Sequence, residues 1–485
     1  MNRNAPAAMT IGIVARPSSP SVRFTALPKP TMIVSRAFAG KRYAVLGLAR
    51  SGTATVEALL ASGAEVTAWD RREGPREPLA GRATIADPLA IELSGFDGVV
   101  VSPGVPLNTH PIAEKAHAAG VPLIGDIELF AQARRDMPPH KVVGITGTNG
   151  KSTTTALVHH LLDAAGVPAR MGGNIGLPIL GQAPLPAGGV YVLELSSYQI
   201  DLTFSLACEA AALTNITPDH LDRYDGFAAY AASKARLLAM QDAGQFAVFG
   251  CEDAATSEAY RIELARRPAG RAICADYAAA KAHQASWPSL QGPHNLQNAA
   301  IAGAVVRELG LSREQTLAGL ASFRGLPHRM ERLGEFGGVL FVNDSKATNP
   351  ASTAPALAAW PPSPYKRVHW ICGGLPKGDD LDECAPNFGN IAAAYTIGEA
   401  GPRFAEILEP VMHVERCEML CEAVSRAIAA AKPGDVVLFS PACASFDQFR
   451  DYEQRGNSFR KLVAELTGQV ERQGAPGACT AKSAA

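Results

Sequence analysis

Residues 141–162, KVVGITGTNGKSTTTALVHHLL, decide how the rest of the chain is read. An apolar run enters a glycine-rich loop, and the loop opens directly into helical text. That order of strand, loop and helix is the context a phosphate-binding loop requires. Backbone N–H groups at the helix start surround phosphate oxygens, Lys151 reaches the β- and γ-phosphates, and the hydroxyl of Ser152 or Thr153 can ligate Mg²⁺. A chance Gly-Lys-Ser turn would not need a strand before it and a helix after it. Downstream, VYVLELSSYQ (190–199) is a second apolar strand that delivers Glu194 at its carboxyl end, where such proteins place the acid that holds the metal. A carboxylate in so apolar a setting calls for a cation nearby.

Upstream, KRYAVLGLARSG (41–52) and TATVEALLASG (53–63) read as strand, turn and helix, and AEVTAWD (64–70) as a strand closing on Asp70. This is the layout of a mononucleotide-binding βαβ unit, and FDGVVVSPGV (96–105) supplies its next strand. The turn reads Gly47-x-Ala49-x-x-Gly52 rather than G-x-G-x-x-G, so by itself it is equally a tight strand-to-helix turn. A third unit begins near Arg324 with GVLFVNDSKATNP (338–350) as its first strand and turn. RVHWICGG (367–374), AAYTIG (393–398), HVERC (413–417) and DVVLFSPACASFD (435–447) continue the alternation of strand and helix.

The 485 residues suit two to four domains, and 47% hydrophobic with 19% charged residues is ordinary globular composition. A net charge of -1 provides no footprint for nucleic acid or an anionic membrane, so anionic ligands must be held by local groups. No apolar run reaches the roughly 18–20 residues of a membrane span. The nine cysteines are scattered without a CxxC pair or zinc spacing, which predicts reduced thiols in a cytoplasmic protein. Residues 1–31 carry Arg3, Arg16, Arg23 and Lys29 with many prolines and an apolar stretch too short for a signal peptide core. They read as a disordered extension before a candidate start at Met32, and 470–485 as a disordered tail.

TGTNGKST, LELSSYQ, TNITPDHLDRY, AASKARL, HNLQNA, LPHRME, NDSKATNP and SPACASFDQF occur in this order across about residues 40–465. On side-chain chemistry alone, a lone residue such as His220 in this series is more often a structural histidine, and Lys234 more often a solvated helix lysine. The ordered set resembles the Mur ligases of peptidoglycan synthesis, and Asp344 to Asn349 resembles the member that adds D-glutamate. The resemblance implies an α/β fold of three domains. A Rossmann-like unit at 32–138 would bind the UDP substrate, a P-loop ATPase-like unit with a mostly parallel sheet at 139–324 would bind ATP, and a Rossmann-like unit at 325–469 would bind the amino acid.

It further implies a cytoplasmic, monomeric ATP-dependent ligase that activates the carboxylate of UDP-N-acetylmuramoyl-L-alanine as an acyl phosphate and couples it to D-glutamate. Arg50, Ser51, Asp70, Arg72, Ser102, Pro103, Gly104 and Asn174 would meet the UDP substrate. Gly147, Thr148, Asn149, Gly150, Lys151, Ser152, Thr153, Asn295, Asn298, Arg329 and Asp344 would meet ATP. Lys346, Thr348, Lys377, Ser445 and Tyr452 would meet D-glutamate, whose two carboxylates suit lysines and hydroxyl donors. Ser152, Glu194, His220 and a carbamoylated Lys234 would hold two Mg²⁺ ions, with Lys151, Glu194, His220 and Lys234 as the catalytic set. The near alternative is a sister Mur or folylpolyglutamate-type ligase acting on another amino acid. The distant ones are a nucleotide-binding regulator, or a dehydrogenase that uses the first βαβ unit.

Overall fold

The computed structural model describes residues 31–376, 378 and 380–468; the predicted tail, Lys377 and all but residue 31 of the predicted N-terminal extension lie outside it. Three sheets follow one another along the chain. The first holds β1 (Arg42–Leu46), β2 (Glu65–Trp69), β3 (Thr84–Ile85), β4 (Gly98–Val101) and β5 (Leu123–Ile124) in the order β3-β2-β1-β4-β5, all parallel. The strand order reverses between β1 and β4, and the crevice at such a switch point is where open α/β sheets take ligands. The turns after those two strands meet there, Ser102 Oγ donating to Gly47 O at 2.8 Å.

The second sheet holds β6 (His140–Thr146), β7 (Ala169–Gly173), β8 (Gly189–Glu194), β9 (Ala210–Leu213), β10 (Phe246–Phe249) and β11 (Ala272–Cys274). Its order is β11-β10-β9-β6-β8-β7, again all parallel. β6 is central and buried on both faces, which is why its sequence is continuously apolar rather than alternating. The phosphate-binding loop therefore leaves the middle of the sheet, flanked by the carboxyl ends of β8 and β9.

The third sheet holds β12 (Glu331–Phe336), β13 (Val339–Asn343), β14 (Val368–Gly373), β15 (Ile391–Ile397), β16 (His413–Glu418) and β17 (Val436–Phe439), in the order β12-β13-β17-β14-β15-β16. The unit does not start with the 338–350 strand, as its sequence suggested. β12 precedes that strand and pairs with it antiparallel, as an edge whose half-exposed, charged residues hide it from an apolar reading. The cysteine expectation also needs correction, because Cys251 and Cys274, at the ends of β10 and β11, form a disulfide. Parallel neighbours bring residues distant in sequence side by side at one sheet edge, and composition carries no trace of that.

Candidate active site

Two glycines let the phosphate-binding loop fit its surroundings. Gly147 has φ 143°, and a Cβ there would lie 1.9 Å from Thr214 Oγ1. Gly150 has φ 80°, and a Cβ would lie 2.3 Å from Asn298 Oδ1. Any side chain at either position would push the loop off its supports. The helix Lys151–Ala164 starts on Gly150 with no side-chain cap, which leaves its first N–H groups to a ligand.

The segment after β9 braces this loop. Thr148 N donates to Asn215 O at 2.8 Å, Asn149 N to Asn215 Oδ1 at 2.8 Å, and Thr214 Oγ1 to Asn149 O at 2.6 Å. The sequence reading passed over Asn215 and Thr217 in favour of His220. Their only signal was membership of the same TNIT string.

At the Gly147 end of the loop two lysines converge. Lys151 Nζ donates to Gly147 O at 2.9 Å and Thr148 O at 2.7 Å, and Lys234 Nζ donates to Gly147 O at 2.8 Å. Lys234 is 2% exposed. Burial, followed by the repulsion of Lys151, brings its pKa down to about 7. Burial likewise lowers the pKa of Lys151, against the attraction of Glu194. Glu194 is 1% exposed; Asn174 Nδ2 donates to its Oε1 at 2.9 Å, while its buried Oε2 has no partner among the described residues. An orphaned carboxylate oxygen beside the phosphate loop fits a cation. No cluster of three or more His, Cys, Asp or Glu able to hold a metal occurs among the described residues. His220 is exposed, with φ 52°, and its Nε2 lies 3.5 Å from Asp219 Oδ2.

A cavity of about 530 Å³ extends from the other flank of the loop. Asn149, Gly150, Thr153, Asn295, Asn298, Arg329 and Asp344, all expected at the nucleotide, line it from two units together with Lys346, expected at the amino acid, whereas Gly147, Thr148, Lys151 and Ser152 do not. Glu252 and Gln297, which sequence reasoning missed, line it too, Gln297 Nε2 donating to Glu252 Oε2 at 2.9 Å. Glu194, His220 and Lys234 do not line it. Arg329 crosses the junction and donates from Nη2 to Ser152 Oγ at 2.9 Å. Asp344 accepts from Ser440 Oγ at 2.7 Å and from Met330 N at 3.0 Å, yet burial raises its pKa to about 7.

In the third unit, the Lys346 ammonium lies 4.1 Å from the centroid of the Tyr452 ring, and Ser445 is buried. Thr348 sits half-buried on the same turn. Arg455, another residue without a sequence signal, is 1% exposed and donates to Ser345 O, Cys443 O and Ala444 O, tying together the turns that carry Lys346 and Ser445. In the first unit, Asp70 accepts from Leu48 N at 2.8 Å and Arg72 N at 3.0 Å. Burial pushes its pKa up, but these hydrogen bonds outweigh that and leave it lowered. Ser51, Ser102 and Pro103 lie together beneath the turn, with Gly104 exposed beside them. Arg50 leaves its own unit and donates to Gly176 O at 3.0 Å.

Comparison with known proteins agrees with this geometry. The chain matches the Mur ligase MurD-like N-terminal domain over residues 41–125, the Mur ligase middle domain over 145–306 and the Mur ligase glutamate ligase domain over 328–443. The chain belongs to the Mur ligase family and is an ATP-dependent, amide-bond-forming ligase. Within that family it is similar to the UDP-N-acetylmuramoylalanine--D-glutamate ligase of Novosphingobium aromaticivorans, at 70% identity over 92% of this chain and 98% of the relative. The enzyme of the same name from Caulobacter vibrioides is 44% identical over 90% of this chain and 98% of the relative. Among solved structures, the UDP-N-acetylmuramate-alanine ligase of Thermotoga maritima shares the fold with a TM-score of 0.53 at 17% identity, covering 88% of this chain and 99% of that one. The UDP-N-acetylmuramoylalanyl-D-glutamyl-2,6-diaminopimelate--D-alanyl-D-alanyl ligase of Acinetobacter baumannii does so with 0.55 at 15%, covering 90% and 92%.

Proposed function

We propose that the chain adds D-glutamate to UDP-N-acetylmuramoyl-L-alanine at the expense of ATP. It would do so as a cytoplasmic monomer in peptidoglycan precursor synthesis, and so serve cell-wall growth, cell shape and division. The observation that carries this reading is the phosphate-binding loop with, beside it, a buried Glu194 oxygen that has no partner among the described residues. Identity at the level of 70% along nearly the whole chain to a ligase of that name supports the choice of substrates. Unit boundaries near 138 and 324 fit the proline pair Pro138 and Pro139 and the Gly-Leu-Pro run at 325–327.

A free carboxylate and an amine form a salt rather than an amide, so the carboxylate must first acquire a leaving group. In this reading the ATP triphosphate lies over residues 147–153 with its terminal group toward Lys151, whose ammonium exchanges the loop carbonyls for phosphate oxygens. Arg329 approaches from the third unit. The substrate carboxylate takes the γ-phosphoryl group, ADP leaves, and the amine of D-glutamate attacks the acyl phosphate to give the amide and inorganic phosphate. Ser152 with Glu194, and His220 with a carbamoylated Lys234, are the sets that would hold Mg²⁺, which supplies charge neutralisation between the reacting anions. A pKa of about 7 leaves much of Lys234 as the free amine, the form that adds CO₂ to become a carbamate.

The UDP end is assigned to Arg50, Ser51, Asp70, Arg72, Ser102, Pro103 and Gly104, with Asn174 between it and Glu194. Adenosine is assigned to Asn295, Asn298 and Asp344, and D-glutamate to Lys346, Thr348, Lys377, Ser445 and Tyr452. Placing the amino-acid residues on a separate unit lets its closure exclude water from the acyl phosphate.

The test is ADP formation with ATP, Mg²⁺, UDP-N-acetylmuramoyl-L-alanine and D-glutamate, each omitted in turn. Turnover should need all four. Stimulation by L-lysine or meso-diaminopimelate in place of D-glutamate would remove the substrate assignment. CO₂-free buffer should lower the rate, and added bicarbonate should restore it if Lys234 is carbamoylated.

A further inference from the structure

His220 has little that fixes it: it is exposed, its backbone lies in the left-handed region, and its carboxylate neighbour Asp219 is the adjacent residue. Its ring, however, begins an aromatic ladder. His220 lies 5.3 Å from Tyr198, Tyr198 stacks on Tyr224 at 6.0 Å with planes 8° apart, and Tyr224 meets Tyr230 edge-on at 5.4 Å. Lys234 Nζ lies 4.5 Å from the centroid of the Tyr230 ring, so the ladder joins His220 to the buried lysine. Tyr230 OH is also 3.1 Å from Thr148 Oγ1, which ties the ladder to the phosphate loop.

Arg223 contacts both this ladder and the first unit. Its guanidinium carbon is 4.6 Å from the Tyr198 centroid, and its Nη2 donates to Val105 O at 3.2 Å, directly after the 102–104 turn. Asn108 Nδ2 donates to Asp222 O at 3.0 Å and fastens the same crossing. A planar guanidinium can cover an aromatic face and still donate in its own plane, whereas a lysine ammonium does not combine the two.

We infer that Arg223 is a positioning residue: it clamps the His220 loop between Tyr198 and the sugar-nucleotide turn, holding His220 in register with Lys234 and the phosphate loop. This rests on the reading of His220 and Lys234 as metal-holding residues. It predicts that order in the His220 loop depends on the contacts that Arg223, with Asn108, makes across to the first unit.

The test uses full-length wild type, Arg223→Ala, Arg223→Lys and Asn108→Ala, with hydrogen exchange of the 217–225 amides and turnover as a function of Mg²⁺. Arg223→Ala should speed exchange in that segment about 10-fold, with the rest of the chain unchanged. It should also raise the Mg²⁺ concentration for half-maximal turnover about 10-fold. Arg223→Lys should recover only part of either effect, and Asn108→Ala should show the same pattern more weakly. Unchanged exchange in Arg223→Ala overturns the inference. So does faster exchange throughout the chain in Arg223→Ala with none at 217–225 in Asn108→Ala. If wild type does not turn over at all, the proposed function fails, while loop exchange still decides whether Arg223 positions the segment.

Discussion

The two junctions of this chain are built differently. Between the first and second units the apolar core is continuous. Phe38, Tyr43, Val56 and Phe130 belong to the same buried cluster as Ile179, Leu180, Tyr191 and Leu193. The seam is also stitched by Ile33 N to Leu180 O at 3.0 Å, Gly125 N to Leu202 O at 2.9 Å, and the Glu128 carboxylate accepting from Phe204 N and Ser205 N at 2.7 and 2.9 Å. The third unit has core clusters of its own, and it reaches the second through polar contacts such as Arg329 to Ser152 and Arg332 Nη1 to Pro288 O at 3.4 Å. A shared apolar core fixes two bodies as one. A polar seam lined by a cavity can exchange its contacts for those of a ligand. The 102–104 turn is therefore set rigidly against the segments that carry Glu194 and His220, while the cavity beside the 147–153 loop lies where one wall can move.

Changes at the chemical centre should leave both junctions intact and have the largest effect. Lys151→Ala is expected to lower turnover about 10³-fold, since in the proposed site it removes the cation nearest the transferring group. Its thermal unfolding should stay close to that of wild type. Next comes the shared core, where Leu180→Ala should cost about 2–5 kcal/mol in denaturant unfolding. The first and second units should still melt in one transition; two separate transitions would mean the continuous core does not couple them.

At the polar seam the balance inverts. Arg329→Ala should change stability by only about 1 kcal/mol, because one partly exposed hydrogen bond is lost. It should nevertheless reduce kcat/KM for ATP about 100-fold if, as proposed, this guanidinium meets the phosphates. A smaller signal comes from Asp344. Burial raises its pKa from 3.8 to about 7 in the folded chain, so its contribution to stability is full below the unfolded value and is lost as pH climbs toward 7. Asp344→Asn should therefore gain stability relative to wild type from acid to neutral pH, by about 1 kcal/mol or more in paired melts. A gap that stays constant with pH would show that the carboxyl is not held protonated.

Legibility followed locality. The strand, loop and helix at 141–162 could be read because glycine, lysine and hydroxyl chemistry must sit next to an apolar run for the loop to work. Glu194 could be read because a lone acid ends an apolar strand. β12 escaped because an exposed edge strand has no apolar pattern to detect. Arg223, Arg455, Asn215 and the Cys251–Cys274 disulfide escaped because their meaning lies in partners distant in sequence: Val105 with Tyr198, three backbone carbonyls, the phosphate loop, and a neighbouring strand end. The Arg50 hydrogen bond to Gly176 O of the second unit is another contact that no local pattern announces.

In the proposed reaction the 147–153 loop delivers the terminal phosphoryl group of ATP to the substrate carboxylate. That transfer is tested most directly by running the reaction with UDP-N-acetylmuramoyl-L-alanine carrying ¹⁸O in that carboxylate and analysing the released phosphate by mass spectrometry. Passage through an acyl phosphate predicts one labelled oxygen in the inorganic phosphate for each amide formed. Amide product accompanied by unlabelled phosphate would contradict it.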